Sequence, residues 1–396
     1  MKNRLTNALA ICLCLGAGEV YAVQGITLNG FMTAGAVYSN TDVTTLGGSP
    51  AGGVVSQDGN ITNNVGFSND SRFGIQISAK VNPKVDVTGQ LLARGREANY
   101  NLSADWAFVT YHVNDALALR GGKVKLTTFL ISDYIEVGYA YPWIRPPQEV
   151  YSSNPISTIN GVDMLWRLNL GDFTFLFQPY YGTSRGAQAL VPQEVVPGVP
   201  TLSGGPPPAV ASRSYGDVVY ADFTADRMTG LNLSLGTDVF TVRAGYLQTL
   251  VSASAFGVRE NDATFISAGG TLDWHNVVLY GEYFQREIDG RANLAFPSQK
   301  GFYTTAGYRI GQFLPNVTYA KLDKNAKTGD LGTPLVQSSV TLGLRYELGA
   351  GAALKLEAQQ IKPEAGVTGA GTRGLLIGVP ENNKAAIYSI AIDVVF

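Results

Sequence analysis

Alternation of apolar and polar residues constrains the fold of this chain more than any other sequence feature. The alternation has a period of two and is clearest at 73–80, 163–170, 173–178, 340–348 and 354–359. Successive side chains of a β-strand point to opposite faces, so the pattern indicates strands with one apolar and one polar face. Each alternating segment extends over about ten residues, which is also the length of a strand that crosses a membrane.

Two all-β architectures fit such a pattern, a transmembrane barrel and a soluble sandwich. A sandwich shares one core, and a continuous meander of about 370 residues exceeds the usual size of a single domain of that kind. A barrel closed in lipid pairs every backbone group and leaves no sheet edge. The predicted fold class is therefore all-β, a transmembrane antiparallel β-barrel.

The connections between the predicted strands alternate in length, as in bacterial outer-membrane barrels. Short turns are predicted at 82–84, 114–115, 171–172, 236–238, 275–276, 311–312 and 349–351. Long polar loops are predicted at 39–70, 95–101, 124–158, 183–215, 251–261, 288–300, 323–336 and 363–384. This rhythm gives sixteen strands if 217–236 is one long strand bulged near Met228 and Gly230, and eighteen strands remain an alternative.

The N-terminus has the features of a secretory signal peptide. Lys2 and Arg4 precede a short apolar stretch, and Val20 and Ala22 stand where a signal peptidase reads. We expect residues 1–22 to be the signal peptide and 23–396 to be the barrel. The alternative, a buried N-terminal helix, fits these flanking residues less well.

Composition excludes several classes of protein. Removing residues 1–22 takes Lys2, Arg4 and Glu19 from 29 basic and 31 acidic residues, which leaves 27 and 30 and a net charge of −3. That balance argues against nucleic acid as a partner. Both cysteines, at 12 and 14, lie in the predicted signal peptide, so the exported chain has no disulfide.

The C-terminal strand is the most specific signal in the sequence. It ends in an aromatic residue and carries apolar residues on one face, with a second aromatic near its start. This face consists of Tyr388, Ile390, Ile392, Val394 and Phe396. The pattern is similar to the recognition signal for the machinery that inserts outer-membrane barrels, and its alternative is a plain amphipathic strand.

The whole mature chain resembles the trimeric Gram-negative outer-membrane porin family. The resemblance rests on the signal peptide, an early strand at 26–31, the strand and loop rhythm, and Phe396. It implies a sixteen-stranded barrel in the outer membrane of a Gram-negative bacterium, a homotrimer, and a third long loop folded into the barrel. It also implies contact with outer-membrane lipid, lipopolysaccharide and the barrel-insertion machinery. The implied function is passive diffusion of small hydrophilic solutes and ions through a water-filled channel, with no cofactor and no enzymatic activity.

The third long loop, 124–158, is unusually apolar and aromatic for an exposed loop. Loops in water are normally polar, so this segment is expected to pack against other parts of the protein. Inside a barrel it is expected to expose Asp133, Glu136, Arg145 and Glu149 to the lumen. The alternative is an outer loop that packs on its neighbours or on another subunit.

The alternation of inward and outward side chains along each strand is expected to point six arginines toward the lumen, opposite this loop. They are Arg72, Arg94, Arg120, Arg167, Arg243 and Arg345. The inward acids are about as numerous, and they are Asp163, Asp273, Glu282, Glu347, Glu357 and Asp393. Arginines that oppose carboxylates across a narrow gap select solutes by charge and dipole. Because the two signs are balanced, the ion selectivity stays open; the candidate constriction combines the four loop residues with Arg72, Arg94, Arg120 and Arg167.

Rival functions have little support in the sequence. The segments 182–186 and 369–374 spell a nucleophile elbow and a dinucleotide fingerprint, but we expect no helix after either of them. The two histidines, His112 and His275, are predicted to lie at the periplasmic side, with no metal or Ser–His arrangement. The remaining alternatives are a substrate-specific porin for a sugar or an organic acid and, less well supported, an adhesin or enzyme of the outer membrane.

Overall fold

Sixteen antiparallel strands close into one barrel in the computed structural model. The structure describes residues 24–40, 44–46, 49–51, 53–56, 59–96, 99–192, 218–253, 257–330, 334, 336–363, 376–377 and 384–396. The predicted signal peptide, 1–22, and the segment 369–374 thus lie outside the described residues. Each strand pairs with the next one along the chain, and the first pairs with the last, for example at Phe31 opposite Val395. The prediction of a sixteen-stranded barrel is confirmed.

The barrel strands are numbered here in chain order. They are β1 Gln24–Ser39, β2 Arg72–Asn82, β3 Val85–Arg96, β4 Asn99–His112, β5 Leu117–Lys125, β6 Thr158–Leu170, β7 Phe173–Pro192, β8 Val218–Gly236, β9 Phe240–Ala253, β10 Val258–Trp274, β11 Val277–Ile288, β12 Gln299–Tyr308, β13 Phe313–Lys324, β14 Gln337–Gly349, β15 Ala352–Pro363 and β16 Ala385–Val395. Short loop strands occur at Thr44–Leu46, Ser49–Ala51, Gly53–Ser56, Gly59–Ile61 and Leu376–Ile377. Two short helices are α1 Gln148–Tyr151 and α2 Ala292–Ala295.

The period-two pattern places apolar side chains on the outer face. In β13, Phe313, Val317 and Tyr319 are exposed there, whereas Ala320 and Leu322 are buried toward the interior. The C-terminal face follows the same rule, because Tyr388, Ile390, Ile392 and Phe396 are exposed, and Val394 is partly so. None of the helices in the described part of the chain is long and apolar enough to cross a membrane.

Short connections lie at one end of the barrel, and six of the eight predicted long loops at the other end are long. The predicted long loops 95–101 and 251–261 are wrong in length. The strands on either side continue to Arg96 and Asn99 and to Ala253 and Val258, so 97–98 and 254–257 connect them. Backbone hydrogen bonds to the neighbouring strand extend each of these strands beyond the residues in which apolar and polar side chains alternate.

The bulged long strand predicted at 217–236 is confirmed as β8. Its pairing with β9 shifts register between Asp226 and Thr229, and Arg227 between them has φ of 53°. An extra residue that bends one strand without ending it is a β-bulge, which keeps the strand count even.

The interior of the barrel holds the apolar core. Residues 126–157, between β5 and β6, contribute several of its largest fully buried side chains, among them Ile131, Tyr141 and Trp143. Two 3-10 turns, Ser132–Tyr134 and Gly138–Ala140, and the helix α1 shape this segment, which is called the lumen loop below. The third long loop is therefore folded inward, as expected.

Candidate pore constriction

The lumen loop is fastened first to β8, β9 and β10. Asn232 donates a hydrogen bond to the Thr127 hydroxyl, and the Ser267 hydroxyl donates to the Thr128 carbonyl at 2.5 Å. The Arg243 guanidinium donates to the Phe129 and Leu130 carbonyls, each at 3.2 Å. Polar wall side chains thus satisfy backbone groups that water would otherwise solvate.

One carboxylate of β11 holds both ends of the lumen loop. Glu282 Oε1 accepts the Leu130 amide at 2.7 Å, and Glu282 Oε2 accepts the Tyr151 hydroxyl at 2.9 Å. Burial, together with the charge of Glu282, raises the pKa of the Tyr151 phenol well above its ordinary value. Tyr151 therefore remains a donor at any physiological pH.

The carboxylate of Glu136 in the lumen loop contacts three cations, one each on β2, β3 and β5. Arg94 donates two hydrogen bonds to its carboxylate, one of them from Nε at 3.0 Å, and Arg72 and Lys125 each lie 3.8 Å away. Burial alone would raise the pKa of Glu136, but the three cations outweigh it and lower that pKa to about 2. Lys125 also contacts Asp105 of β4 at 2.9 Å.

The next turn of the loop is held by backbone carbonyls that accept from wall cations. Lys355 Nζ of β15 donates to the Gly138 carbonyl at 2.6 Å and to the Trp143 carbonyl at 2.7 Å. Its charge is balanced by Asp393 of β16 at 2.8 Å. Arg345 of β14 donates to the Tyr139 and Tyr141 carbonyls and pairs with Glu347 at 2.6 Å. The loop thereby reaches the side of the barrel opposite to its origin.

Trp143 is the central apolar anchor of the lumen loop. Its indole N–H donates to the Thr305 and Thr318 hydroxyls at 3.1 and 3.0 Å. Its ring meets Tyr280 and Tyr303 edge to face, with centroid distances of 4.8 and 5.5 Å. Such aromatic contacts stabilise beyond simple burial.

Arg145 and Ile144 fix the outgoing half of the loop. Arg145 forms an ion pair with the fully buried Asp70 and donates to the Ser389 hydroxyl at 2.6 Å. The Ile144 amide donates to Glu357 of β15 at 2.8 Å. Arg145 is therefore an anchor of the loop against the wall, and little of it faces water.

Three of the expected lumenal exposures are wrong, and the first is Arg145, which is 13% exposed and paired with Asp70. The side chain of Glu136 is 8% exposed, and Glu149 is completely buried. Glu149 lies in α1 and accepts a hydrogen bond from Gln337 at 2.8 Å, and burial raises the pKa of its carboxyl. α1 packs against the wall, which turns this carboxylate away from the water that its sequence position suggested.

Asp133 is the loop carboxylate that does face water. It is 47% exposed and lies 3.1 Å from Arg243 of β9. Arg94, which is 37% exposed, is the most accessible of the cations around Glu136. These two opposite charges lie where the loop faces β3 and β9, and they are its accessible contacts there.

A hydrogen-bonded belt crosses the wall on that side. Arg120 of β5 pairs with Asp163 of β6, with Nε and Oδ1 2.8 Å apart, and Gln178 of β7 donates to Asp163 at 2.8 Å. Asn232 of β8 donates to Gln178 at 3.4 Å and accepts from Arg243 at 3.1 Å. Five adjacent strands thus present one continuous row of polar side chains, called the polar belt below.

The structure brings most, but not all, of the predicted constriction residues together. Arg72 and Arg94 meet Glu136, Arg120 lies in the polar belt, and Asp133 touches the end of that belt. Arg167 stands apart, exposed near the short-turn end of β6. The two histidines lie where they were predicted, with His112 Nε2 2.7 Å from Asp86 Oδ2 at the end of β4.

Sequence reasoning missed several residues of this site. Lys355 and Lys125 are buried cations, and the strand parity that picked out the arginines also turns Lys355 inward. Gln178 and Asn232 are neutral, so a search for charged residues passed over them. No sequence signal marks Asp70, which precedes β2 and meets Arg145 75 residues later.

Comparison with known proteins agrees with this architecture. A family profile described as Gram-negative porin matches residues 8–366. No curated protein sequence matches the chain.

Among solved structures, the anion-selective porin from Comamonas acidovorans is 15% identical with a TM-score of 0.57, and the match covers 94% of this chain and 99% of that one. The channel DcaP of Acinetobacter baumannii is 11% identical with a TM-score of 0.56, covering 96% of this chain and 100% of that one. The trimer form of OmpT from Vibrio cholerae is 11% identical with a TM-score of 0.51, covering 94% and 99%. At these identities the likeness shows the fold.

Proposed function

Because the chain belongs to the Gram-negative porin family, we propose that solutes cross it past the edge of the lumen loop that exposes Asp133 and Arg94, beside the polar belt. The protein is an outer-membrane channel for passive diffusion of small solutes, and it is not an enzyme.

The exposed charges of Asp133 and Arg94 are the observation that carries the proposal. They lie beside the polar belt, whose members Asp163, Gln178 and Asn232 are themselves buried, so a passing solute meets these two charges. The loop is fastened by buried contacts to the walls on both sides, and the exposed charges of Asp133 and Arg94 therefore place the passage of water and solutes at this edge of the loop. The narrow section thus combines the loop edge near Asp133 with Arg94, Arg120 and their belt neighbours.

The charges at this section are nearly balanced. Arg120 is paired with Asp163, and Arg243 is paired with Asp133. Charged residues at a pore constriction set its selectivity, so paired ones give a weak preference that depends on the exposed member of each pair. We therefore propose a general channel with weak ion selectivity.

Reversal potentials in a salt gradient across planar bilayers test this assignment. Arg94→Gln should shift the preference toward cations and Asp133→Asn toward anions, because each removes an exposed charge at the narrow section. Arg167→Gln is the matched control, since it removes an exposed arginine away from the loop. An Arg167 effect as large as that of Arg94 would place the narrow section elsewhere, and absence of any conductance would overturn the channel route.

We also propose that the channel is a homotrimer. Residues 1–22 are removed as a signal peptide, and the insertion machinery recognises the face that runs from Tyr388 to Phe396. Contact with outer-membrane lipid and lipopolysaccharide is part of the same proposal. The outer face near β3 and β5 suits close contact between copies, because Gly89 has open space in front of it and Gly121 has only Val162 at 3.9 Å. Electrophoresis of unheated and heated samples tests the trimer, which should migrate at three times the heated mass.

A further inference from the structure

We infer that an apolar pocket in the long-loop half of the lumen binds small carboxylates that carry a short hydrocarbon chain. The pocket lies between the strands β8 to β11 and the end of the lumen loop, and it is called the vestibule pocket below. This inference rests on the proposed channel function and deepens it, because it names a class of solute that the channel holds before the narrow section.

Inward side chains of the wall form the vestibule pocket. On β9, Leu247 lies on the same face as Arg243 and four residues nearer the long-loop end. On β10, Phe265 lies on the same face as Ser267, which holds the lumen loop. A strand rises about 3.4 Å per residue, so Leu247 is about 13 Å from Arg243 along the strand. A solute that enters from the long-loop end therefore meets the pocket before it reaches Asp133 and Arg243.

Two loops complete the pocket. Ile156, at the end of the lumen loop, and Phe296, which follows α2, both line it. The Phe296 ring contacts the Phe223 ring of β8, with a centroid distance of 5.1 Å. Phe265 in turn meets Phe129, at the start of the lumen loop, edge to face at 5.3 Å. Packed aromatic and aliphatic side chains thus give the pocket hydrocarbon walls.

The size of the pocket limits what it can hold. It is partly open and has a volume of about 50 Å³, and a single water molecule needs about 10–15 Å³ of such a cavity. The pocket therefore accommodates a chain of about four carbon atoms. Its polar side chains are already bonded within the protein, because the Thr249 hydroxyl donates to the Asp226 carbonyl and Asn154 donates to the Thr128 hydroxyl, each at 2.9 Å. A sugar would place its hydroxyl groups against hydrocarbon without partners, and such burial is unfavourable.

Arg286 of β11 is the charged side chain among the described residues that line the pocket. Its Nε and Nη2 donate to the Pro297 carbonyl at 3.2 and 2.7 Å, and Nη2 also donates to Gln299 at 2.8 Å. Its Nη1 donates to the Ser153 carbonyl. A guanidinium has five N–H groups, so these four hydrogen bonds leave one N–H on Nη1.

The charge of Arg286 selects the ligand. Its partners are uncharged oxygens, and no carboxylate in the described part of the chain forms an ion pair with it. Charges that are shielded from water are normally paired, and Arg286 is partly buried. A carboxylate accepts strongly from the remaining N–H, and its hydrocarbon chain then lies in the apolar part of the pocket. Phosphate and sulfate fit less well, because the hydrocarbon walls leave their other charged oxygens without partners.

Fluorine NMR on the protein purified in detergent tests this site, with trifluorobutanoate as the probe. The dissociation constant, measured from the broadening of the fluorine signal, should rise at least about tenfold in Arg286→Gln, because a hydrogen bond between two charged groups is lost. Arg291→Gln is the matched control, since it removes an exposed arginine from the same end of the barrel, and it should bind as the original protein does. Trifluorobutanamide, which is uncharged, should bind the original protein as weakly as Arg286→Gln binds the acid.

A second variant tests the apolar part of the pocket without changing the bonds of Arg286 to the two loops. Ala263 lines the pocket, and Ala263→Leu should weaken binding of the acid about fourfold for each CH₂ group that it displaces. Unchanged binding in both Arg286→Gln and Ala263→Leu would overturn the inference, and so would equal binding of the acid and the amide.

Potassium chloride conductance of the same preparations in planar bilayers separates this inference from the proposed function. A protein that conducts and does not broaden the fluorine signal would overturn the vestibule pocket alone. A protein that broadens the signal in an Arg286-dependent way and does not conduct would support the pocket and overturn the channel route.

Discussion

Replacing Glu136 with glutamine should release the lumen loop from β2, β3 and β5. A pKa of about 2, against an ordinary value of 4.5, corresponds to about 3 kcal/mol in favour of the charged carboxylate. Because the pKa in the folded state is lowered, this stabilisation is present above pH 4.5 and is lost only as the pH falls through about 2. Glutamine removes it at neutral pH and leaves Arg72, Arg94 and Lys125 facing one another.

Hydrogen exchange of residues 126–157, followed by mass spectrometry at pH 7, measures this release. A loss of about 3 kcal/mol raises the open population of the loop about a hundredfold, provided that the loop opens without unfolding the barrel. Channel recordings of the same variant should show a noisier current. The heat-dependent shift in electrophoretic mobility should be retained, because the barrel ladder does not depend on Glu136.

Asp133→Asn is the matched control, since it removes one negative charge from the same loop. Asp133 is half exposed, and exposed ion pairs contribute about 0–1 kcal/mol. Exchange should therefore rise less than about fivefold in this variant. If Glu136→Gln exchanged no faster than Asp133→Asn, the buried cluster would not be what holds the loop.

Two further substitutions test other anchors of the loop. Trp143→Ala should cost about 3–5 kcal/mol in loop packing and increase single-channel conductance. Trp143→Phe loses the one N–H that Thr305 and Thr318 share and part of the ring volume, so it should cost less than Trp143→Ala. Equal conductance of Trp143→Ala and the original protein would contradict this. Glu149→Gln should raise the heat-unfolding midpoint at pH 8 and leave it unchanged at pH 4. Burial raises the pKa of Glu149, so the folded protein favours the neutral carboxyl, and Glu149 destabilises the folded protein increasingly as the pH rises above 4.5. A midpoint difference that is the same at both pH values would show that the charge of Glu149 is not the cause.

The architecture was predictable because it follows from local rules that repeat. Period-two alternation assigns the two faces of each strand, and even strand numbers resolved the doubtful stretch at 217–236 into one bulged strand. The lengths of 95–101 and 251–261 were not predictable in this way. Pairing with a neighbouring strand extends a ladder through residues that do not alternate, and the neighbour's reach is a non-local property.

The details of the candidate site depend on contacts between distant parts of the chain. Glu149 meets Gln337 188 residues later, and Arg145 meets Ser389 244 residues later. Strand parity shows that a side chain points inward, but whether it meets water or the lumen loop depends on the path of that loop. For this reason Glu136 and Glu149 were placed in the right segment and given the wrong surroundings.

The inward arginines divide into two groups with different physical roles. Arg72, Arg94 and Arg345 bind carbonyls or a carboxylate of the lumen loop. Arg120 belongs to the polar belt, to which Arg243 also contributes. A buried ion pair contributes little net stability, because desolvation offsets its Coulomb energy, but losing one partner costs about 3–5 kcal/mol. Such pairs therefore raise the free energy of a displaced loop, in which a partner is lost, by more than they lower the free energy of the correctly placed loop. A channel that depends on a gap of fixed width needs that kind of penalty, and this explains why so much charge is buried beside the pore and so little of it faces the solute.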